Sequence, residues 1–486
     1  VSLILFANSY FIRQDPKEFR AKNYYAPLGT LYAASYMKSL GYKTALFDTM
    51  LAETPENLLG EIRKHKPGIF VIYDDVFNYL TKMCLTKMRE AAFIMSKIAH
   101  ENGCKVIISG SDAADHLEKY FRNDADYVIC GEGEITLGEL IASISGKNTI
   151  SRNEINGLAF IENGRIVKTL PRSPVKDPDI LPYPAWELVD MAEYERLWKK
   201  HHGYFSTNLV TTRGCPFHCN WCAKPIYGQV YNSHSPQYVA GMVKYLKENY
   251  SPDHIWFCDD IFGLKPGWVN KFSEIVNREK LQIPFKCLSR ADLLLKENNI
   301  SSLAKAGCDS IWIGAESGSQ KILDAMEKGT TIAQINEATC LLKKNNIRTC
   351  FFIQFGYTGE TIREINMTRK MINSLMPDDI GISVSYPLPG TKFYERVVSE
   401  MSEKKNWTDS GDFEMMFSGE YSTRFYRTLH KLIHKEFRTK QIIKKPFKNF
   451  CSLWKLPYYL FFWVLFALML MIQEKSERKT HRPGSS

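Results

Sequence analysis

The sequence predicts an α/β chain: an N-terminal doubly wound parallel sheet, a partial (β/α)6 TIM-type barrel, and a C-terminal helical tail. Three observations carry this. Apolar β runs alternate with helical runs over the first third, six further strand–helix repeats fall between residues 204 and 395, and a basic stretch then leads into an uncharged one. The expected boundaries are 1–144 for the first sheet, 145–203 for a hairpin and Pro-rich linker, and 204–395 for the barrel. A basic helical extension (396–455), an apolar segment (456–472) and a polar tail (473–486) follow.

In the first sheet the expected strands are Ser2–Ala7, Thr44–Phe47, Ile69–Tyr73, Lys105–Ser109 and Tyr127–Cys130, with helices at Leu28–Leu40, Pro55–Lys64 and about Thr81–Asn102. Ligands of such sheets bind at the carboxyl ends of the strands. Those ends carry Asp75 and Asn78 after the third strand, Gly110 and Ser111 after the fourth, and Gly131-Glu132-Gly133 after the fifth. Asp75 or Asn78 could equally cap a helix. Asn163-Gly164 between apolar runs signals a β-hairpin, and Pro171, Pro174, Pro178, Pro182 and Pro184 stiffen the linker.

At 486 residues and 44 % hydrophobic content, the chain has length for several domains and apolar mass for their cores. The apolar run 1–7 reads as a strand, since no small-residue cleavage site follows it, and the 12 cysteines then suit a reducing cytoplasm better than a disulfide scaffold. Three of them stand apart. Thr212-Arg213-Gly214-Cys215-Pro216-Phe217-His218-Cys219-Asn220-Trp221-Cys222 places three thiols within eight residues. Thiolates are the usual ligands of iron–sulfur clusters, and three of them leave a fourth position open. The same residues with His218 or a distant ligand could form a zinc knuckle, although no second Cys-x-x-Cys pair is present.

Cys-x-x-x-Cys-x-aromatic-Cys, approached through Thr-Arg-Gly-Cys-Pro, resembles the cluster loop of radical S-adenosylmethionine (SAM) enzymes. The resemblance implies a 4Fe–4S cluster on Cys215, Cys219 and Cys222 whose open iron binds SAM, with reduction giving a 5′-deoxyadenosyl radical. The first sheet, through its glycine-bearing strand ends, resembles the cobalamin-binding domain preceding many such enzymes; Asp75, Asn78, Gly110, Ser111, Gly131, Glu132 and Gly133 are the implied corrin contacts. One departure is the absence of any Asp-x-His-x-x-Gly.

The barrel strands are expected at Leu209–Thr212, His254–Cys258, Phe285–Ser289, Ser310–Gly314, Thr349–Phe355 and Gly381–Ser385, with Ser235-Pro236 opening the first helix. Chemistry belongs at the carboxyl ends of these strands. There the resemblance assigns SAM contacts to Asp259, Asp260, Arg290, Glu316, Ser317 and Gly356.

The tail carries Arg438, Lys440, Lys444, Lys445, Lys448 and Lys455, then 17 uncharged residues, Leu456–Ile472, within a chain of net charge +10. This length and charge pattern suits a membrane anchor, spanning or interfacial, at anionic cytoplasmic lipid. No nucleic-acid module accompanies the basic stretch. The whole pattern resembles the group of anaerobic magnesium-protoporphyrin ester cyclases and cobalamin-dependent C-methylases. It implies C-methylation of an apolar or lipid-like small molecule, with flavodoxin or ferredoxin as electron donor; oxidative cyclisation or rearrangement is the alternative, and a membrane-docked non-catalytic sensor the third reading.

Overall fold

The computed structural model describes residues 3–78, 81, 85–147, 149–223, 226–444 and 450–480. The expectations at Ser2, at 82–84 of the helix expected from about Thr81, and at Lys445 and Lys448 lie outside these. The chain divides into two compact units, one of Val1–Pro216, Ala223–Cys287 and Asn406–Asp412, the other of Phe217–Cys222, Leu288–Lys405 and Phe413–Ser486.

The first unit holds a seven-stranded sheet: β1 (Ile4–Ala7), β2 (Thr44–Leu46), β3 (Ile69–Tyr73), β4 (Lys105–Ser109), β5 (Tyr127–Ile129), β6 (Leu158–Glu162) and β7 (Arg165–Lys168). Its order is β2-β1-β3-β4-β5-β6-β7, parallel from β2 to β5 and antiparallel beyond. The hairpin extends the sheet, with Leu158 and Phe160 buried in one of its cores and Val167, opposite Phe160, packed against the same core. Both faces of the parallel strands are covered. Ile4 and Phe6 belong to one apolar core, Leu5 and Ala7 to the other. The strand order reverses between β1 and β3, which makes their carboxyl ends the switch-point crevice.

The same unit contains β8 (Ser206–Leu209), β9 (Thr212–Arg213), β10 (Asn232–Ser233), β11 (His254–Phe257) and β12 (Phe285–Ser289). β8 pairs in parallel with β11, and β11 with β12. The first barrel strand starts and ends three residues earlier than expected. Ser206-Thr207-Asn208 does not read as apolar, yet it is buried, with Ser206 hydrogen-bonded to His254 at 2.9 Å and Asn208 donating to the Ala26 carbonyl at 3.0 Å. Thr212-Arg213 instead pairs antiparallel with Ser233 and Asn232. Ser235 caps the helix Pro236–Tyr250 as expected, accepting from the Tyr238 N–H.

The chain passes into the second unit within β12. That unit holds β13 (Cys308–Glu316), β14 (Arg348–Phe355) and β15 (Asp379–Val384), parallel in that order. The parallel half-barrel strands are thus β8, β11 and β12 in the first unit and β13, β14 and β15 in the second. A basic helix, Thr423–Lys444, and an apolar helix, Leu456–Thr480, complete the unit.

Candidate functional site

In the first unit the approach to Cys215 is held from two sides. Asp259, at the end of β11, accepts from the Thr211 N–H (2.7 Å), the Thr211 hydroxyl (3.1 Å) and the Thr212 hydroxyl (2.8 Å). Burial raises its pKa to about 7. These bonds occupy both oxygens of Asp259 on the chain itself, while its neighbour Asp260 is exposed. Arg213, 1 % exposed, donates to Glu132 (2.5 Å) and to Glu134 (2.8 Å), both also buried. The rings of Tyr32, Phe77 and Tyr227 surround its guanidinium at 5.4–5.7 Å. Burial pushes both carboxyls up. In Glu134 the Arg213 charge and hydrogen bond prevail and hold it below the usual range, whereas in Glu132 burial wins. Gly214 has φ +82°, and a side chain there would collide with the Val230 carbonyl.

The strand ends of the seven-stranded sheet are tied to one another. Ser9 donates through its N–H (2.9 Å) and hydroxyl (2.7 Å) to Asp74, across the switch point. Asp75 accepts from the N–H of Gly29, in the first turn of the helix Leu28–Ser39, and from the N–H of Phe77, so it does cap a helix, though one distant in sequence. Gly110 lies against the Asp74 carboxylate and Gly133 against the Tyr73 ring and Ser109 hydroxyl, so a side chain at either would clash. Gly131, with φ +95°, has among the described residues outside its own chain neighbours only the Ile226 carbonyl within 4 Å of where a Cβ would stand. Ser111 begins a short helix, and Asn78 donates its N–H to the Asp75 carbonyl. Glu132 also accepts from the Val175 N–H at 2.5 Å.

In the second unit the loop Phe217–Cys222 is pinned by Asn220. Its N–H donates to the Met326 carbonyl (3.1 Å), its side chain donates to the Ala325 carbonyl (2.8 Å), and its Oδ1 accepts from the Tyr357 hydroxyl (2.8 Å). The Cys222 N–H donates to the Cys219 carbonyl at 3.2 Å. Two cations attend the loop. Arg290 follows β12, pairs with Asp292 at 2.9 Å, lies 3.7 Å over the Phe217 ring, and brings Nη1 to 4.0 Å from Cys219 Sγ. Lys328 is 7 % exposed and donates to Glu316 at 2.7 Å. Burial alone would lower its pKa; the charges of Glu316 and Cys219 more than reverse this and raise it.

Glu316 ends β13 where the register with β14 shifts, and its own φ is +55°, a left-handed conformation that a glutamate adopts only when its surroundings impose it. Gly314 leaves room for that carboxylate and the Lys328 ammonium. Ser317 is buried and hydrogen-bonded to Thr368 (3.2 Å). Gly356, with φ +77°, donates its N–H to Glu360 and lies under the Met415 side chain. Tyr357 and Tyr386 are buried, Tyr204 exposed. Among the described residues no group of three or more His, Cys, Asp or Glu is placed to hold a single metal ion.

Sequence reasoning missed Asn220, Lys328, Thr211 and Thr212. Asn220 lay within the cysteine run; Lys328 follows a helix 12 residues after Glu316 and had no motif to mark it.

Residues 209–372 match the radical SAM superfamily. The chain contains a radical SAM domain. Over 436 residues it is 27 % identical to an uncharacterized methyltransferase of Pyrococcus horikoshii, covering 87 % of this chain and 90 % of that one. An anaerobic magnesium-protoporphyrin IX monomethyl ester cyclase of Synechocystis sp. is 26 % identical over 285 residues, 58 % and 56 % of the two chains. Among solved structures, the cobalamin-dependent SAM radical enzyme OxsB with aqua-cobalamin has a TM-score of 0.64 at 20 % identity, covering 77 % of this chain and 52 % of its own. The radical SAM methyltransferase TsrM of Kitasatospora setae gives 0.67 at 18 %, with 82 % and 75 % covered. The chain therefore spans only about half the length of the Synechocystis cyclase and of OxsB. The radical SAM domain, with methyltransferase and cyclase relatives, makes the protein an enzyme.

Proposed function

We propose that this radical SAM enzyme is a cobalamin-dependent C-methyltransferase acting on an apolar or lipid-like small molecule. The observation that carries the reading is Arg213. One guanidinium, two residues before Cys215, is bonded to Glu132 and Glu134 in the loop after β5, so the approach to the cysteine run and the proposed corrin side of the first sheet are built as one piece. A first domain that served some separate purpose would not need this link.

The residues present fit the implied groups. Cys215, Cys219 and Cys222 supply the thiolate set of a 4Fe–4S cluster, and the cations Arg290 and Lys328 beside Cys219 suit a site of net negative charge. Glu316, held in a left-handed conformation at a bulged strand end, is the candidate acceptor for the SAM ribose, and Asp260, Arg290, Ser317 and Gly356 complete the proposed SAM side. Asp259 is better read as the anchor of Thr211 and Thr212. Gly131, with open space beside its backbone, together with Ser111 and Asn78, is the proposed corrin side, while Asp75, Gly110, Glu132 and Gly133 shape it from behind. When bound, the cluster supplies the electron that cleaves SAM, and cobalamin supplies the methyl group. The chain's own work is to orient these groups and exclude water. A flavodoxin- or ferredoxin-type donor is the proposed electron source. Attachment to the cytoplasmic face of a membrane through 456–472 would place the enzyme beside an apolar substrate.

Anaerobic purification with hydroxocobalamin supplied, followed by iron, sulfide and corrin determination on one sample, tests the reading. Cluster plus about one corrin per chain is expected; cluster without corrin overturns the methylation mechanism. Similarity to the ester cyclases favours radical oxidative cyclisation as the second reading. Transfer of an isotope-labelled methyl group into product separates the two.

A further inference from the structure

We infer that the two C-terminal helices dock as a hairpin in the plane of an anionic bilayer surface, and that the apolar helix does not cross the membrane. The inference rests on the membrane attachment proposed above and decides its geometry. By length and composition, the helix around Leu456–Thr480 could span a bilayer. Its partner argues otherwise. The basic helix Thr423–Lys444 runs antiparallel alongside it. Ser422 donates through its N–H (2.8 Å) and hydroxyl (2.5 Å) to Glu477 at one end. Farther along, Lys431 lies 5.8 Å from the Phe466 ring, Lys435 4.3 Å from Tyr458 and Lys440 5.4 Å from Trp463. A spanning apolar helix would carry these lysines, with Arg424 and Arg427, into hydrocarbon or else shed all of its contacts with the basic helix.

The basic helix is itself fastened to the rest of its unit. Glu436 accepts from Arg369 (2.9 Å) and Asn373 (2.7 Å), and Arg438 donates to Asp379 at the start of β15 (2.8 Å). Trp454 just before the apolar helix, and Tyr458, Phe461, Val464, Leu468 and Met471 along it, are all at least half exposed. Their spacing of three or four residues makes one stripe, about 20 Å long from Tyr458 to Met471 at 1.5 Å per residue. Between Arg424 and Lys455 the only acidic residue is Glu436, which is buried and paired. An apolar, aromatic stripe beside Lys431 and Lys435, on a basic stretch whose single acid is already paired, is the pattern of a helix lying at an anionic interface, with lysine stems along the apolar surface and ammonium groups among lipid phosphates.

Two measurements on the full chain test this. In flotation with sealed vesicles, binding to phosphatidylglycerol–phosphatidylcholine is expected to exceed binding to phosphatidylcholine alone at least tenfold. The double variant Phe461→Glu, Leu468→Glu should lower it at least tenfold with an unchanged melting temperature, since both side chains are exposed. In sealed inside-out membrane vesicles, tags at the two chain ends should be cleaved equally by added protease without detergent. Failure to float overturns the attachment and the hairpin together. A variant that floats like the parent overturns the stripe, as does a concentration-dependent dimer that the double variant abolishes. Flotation with a C-terminal tag cleaved only after detergent leaves attachment standing and overturns the in-plane geometry.

Discussion

The guanidinium of Arg213 reaches the carboxylate of Glu134 at 2.8 Å, and each side chain is no more than 2 % exposed. With Glu132 it forms a buried trio in which one cation serves two carboxylates. Removing one partner of a buried ion pair strands the other and costs about 3–5 kcal/mol. Arg213→Met is therefore expected to lower unfolding free energy by about that amount. Arg213→Lys should recover only part of it, because a lysine cannot donate to both carboxylates in the same fork geometry. Denaturant titration of the three proteins checks the order. Iron content after anaerobic reconstitution should fall in the same order, since the substituted residue stands two positions before Cys215.

Lys328 and Glu316 form a second buried pair, at 2.7 Å. Here the backbone adds to the case, because Glu316 is held at φ +55°. Lys328→Met leaves that carboxylate enclosed without a counter-charge and should destabilise the protein by about 3 kcal/mol. The double variant Lys328→Met, Glu316→Gln removes the charge on both sides and should regain much of the loss, a coupling that a double-mutant cycle measures directly. A non-additivity near zero would show that the two side chains act independently.

These pairs mark where sequence reading stopped. Strands β3, β4 and β12 are legible as short apolar runs, and the structure places them where the sequence predicts. β8 is not, because its buried face is Ser206-Thr207-Asn208, whose burial is tolerated only through tertiary hydrogen bonds to His254 and the Ala26 carbonyl. Gly110 and Gly133 stand out in the sequence as implied corrin contacts. What approaches them, the Asp74 carboxylate and the Tyr73 ring, is not legible there. The cysteine run announced itself by spacing, whereas Lys328 and Asn220 have their parts only through contacts that the fold creates between distant turns.

Asn220 holds Tyr357 and two carbonyls of the turn after the helix Gln320–Ala325. Asn220→Ala removes two side-chain hydrogen bonds of the loop, to the Ala325 carbonyl and from the Tyr357 hydroxyl, while these two groups keep their own bond at 3.0 Å; the loss is about 1–3 kcal/mol. The consequence should be local. Amide hydrogen exchange in 217–222 is expected to accelerate more than in β13 or β14. Uniform acceleration across the second unit would instead mean that Asn220 supports the whole unit rather than the loop.

Glu360 gives a pH signature with a definite sign. Its Oε2 accepts from the Gly356 N–H at 2.7 Å, its Oε1 is buried with no partner among the described residues, and burial raises its pKa to about 8. The folded state therefore binds this proton at pH values where the unfolded chain, with an ordinary glutamate near 4.5, has released it. Where the native state binds more protons, stability falls as pH rises. The contribution is complete below the unfolded value, declines between about pH 4.5 and 8, and is gone above. One such group gives a slope of up to about 1.4 kcal/mol per pH unit inside that window. Glu360→Gln keeps the shape and the neutral state, so it should match the parent near pH 4.5 and exceed it increasingly toward pH 8. Urea unfolding at four pH values across the window reads this directly. Parallel stability curves for the two proteins would mean that Glu360 is ionised in the fold.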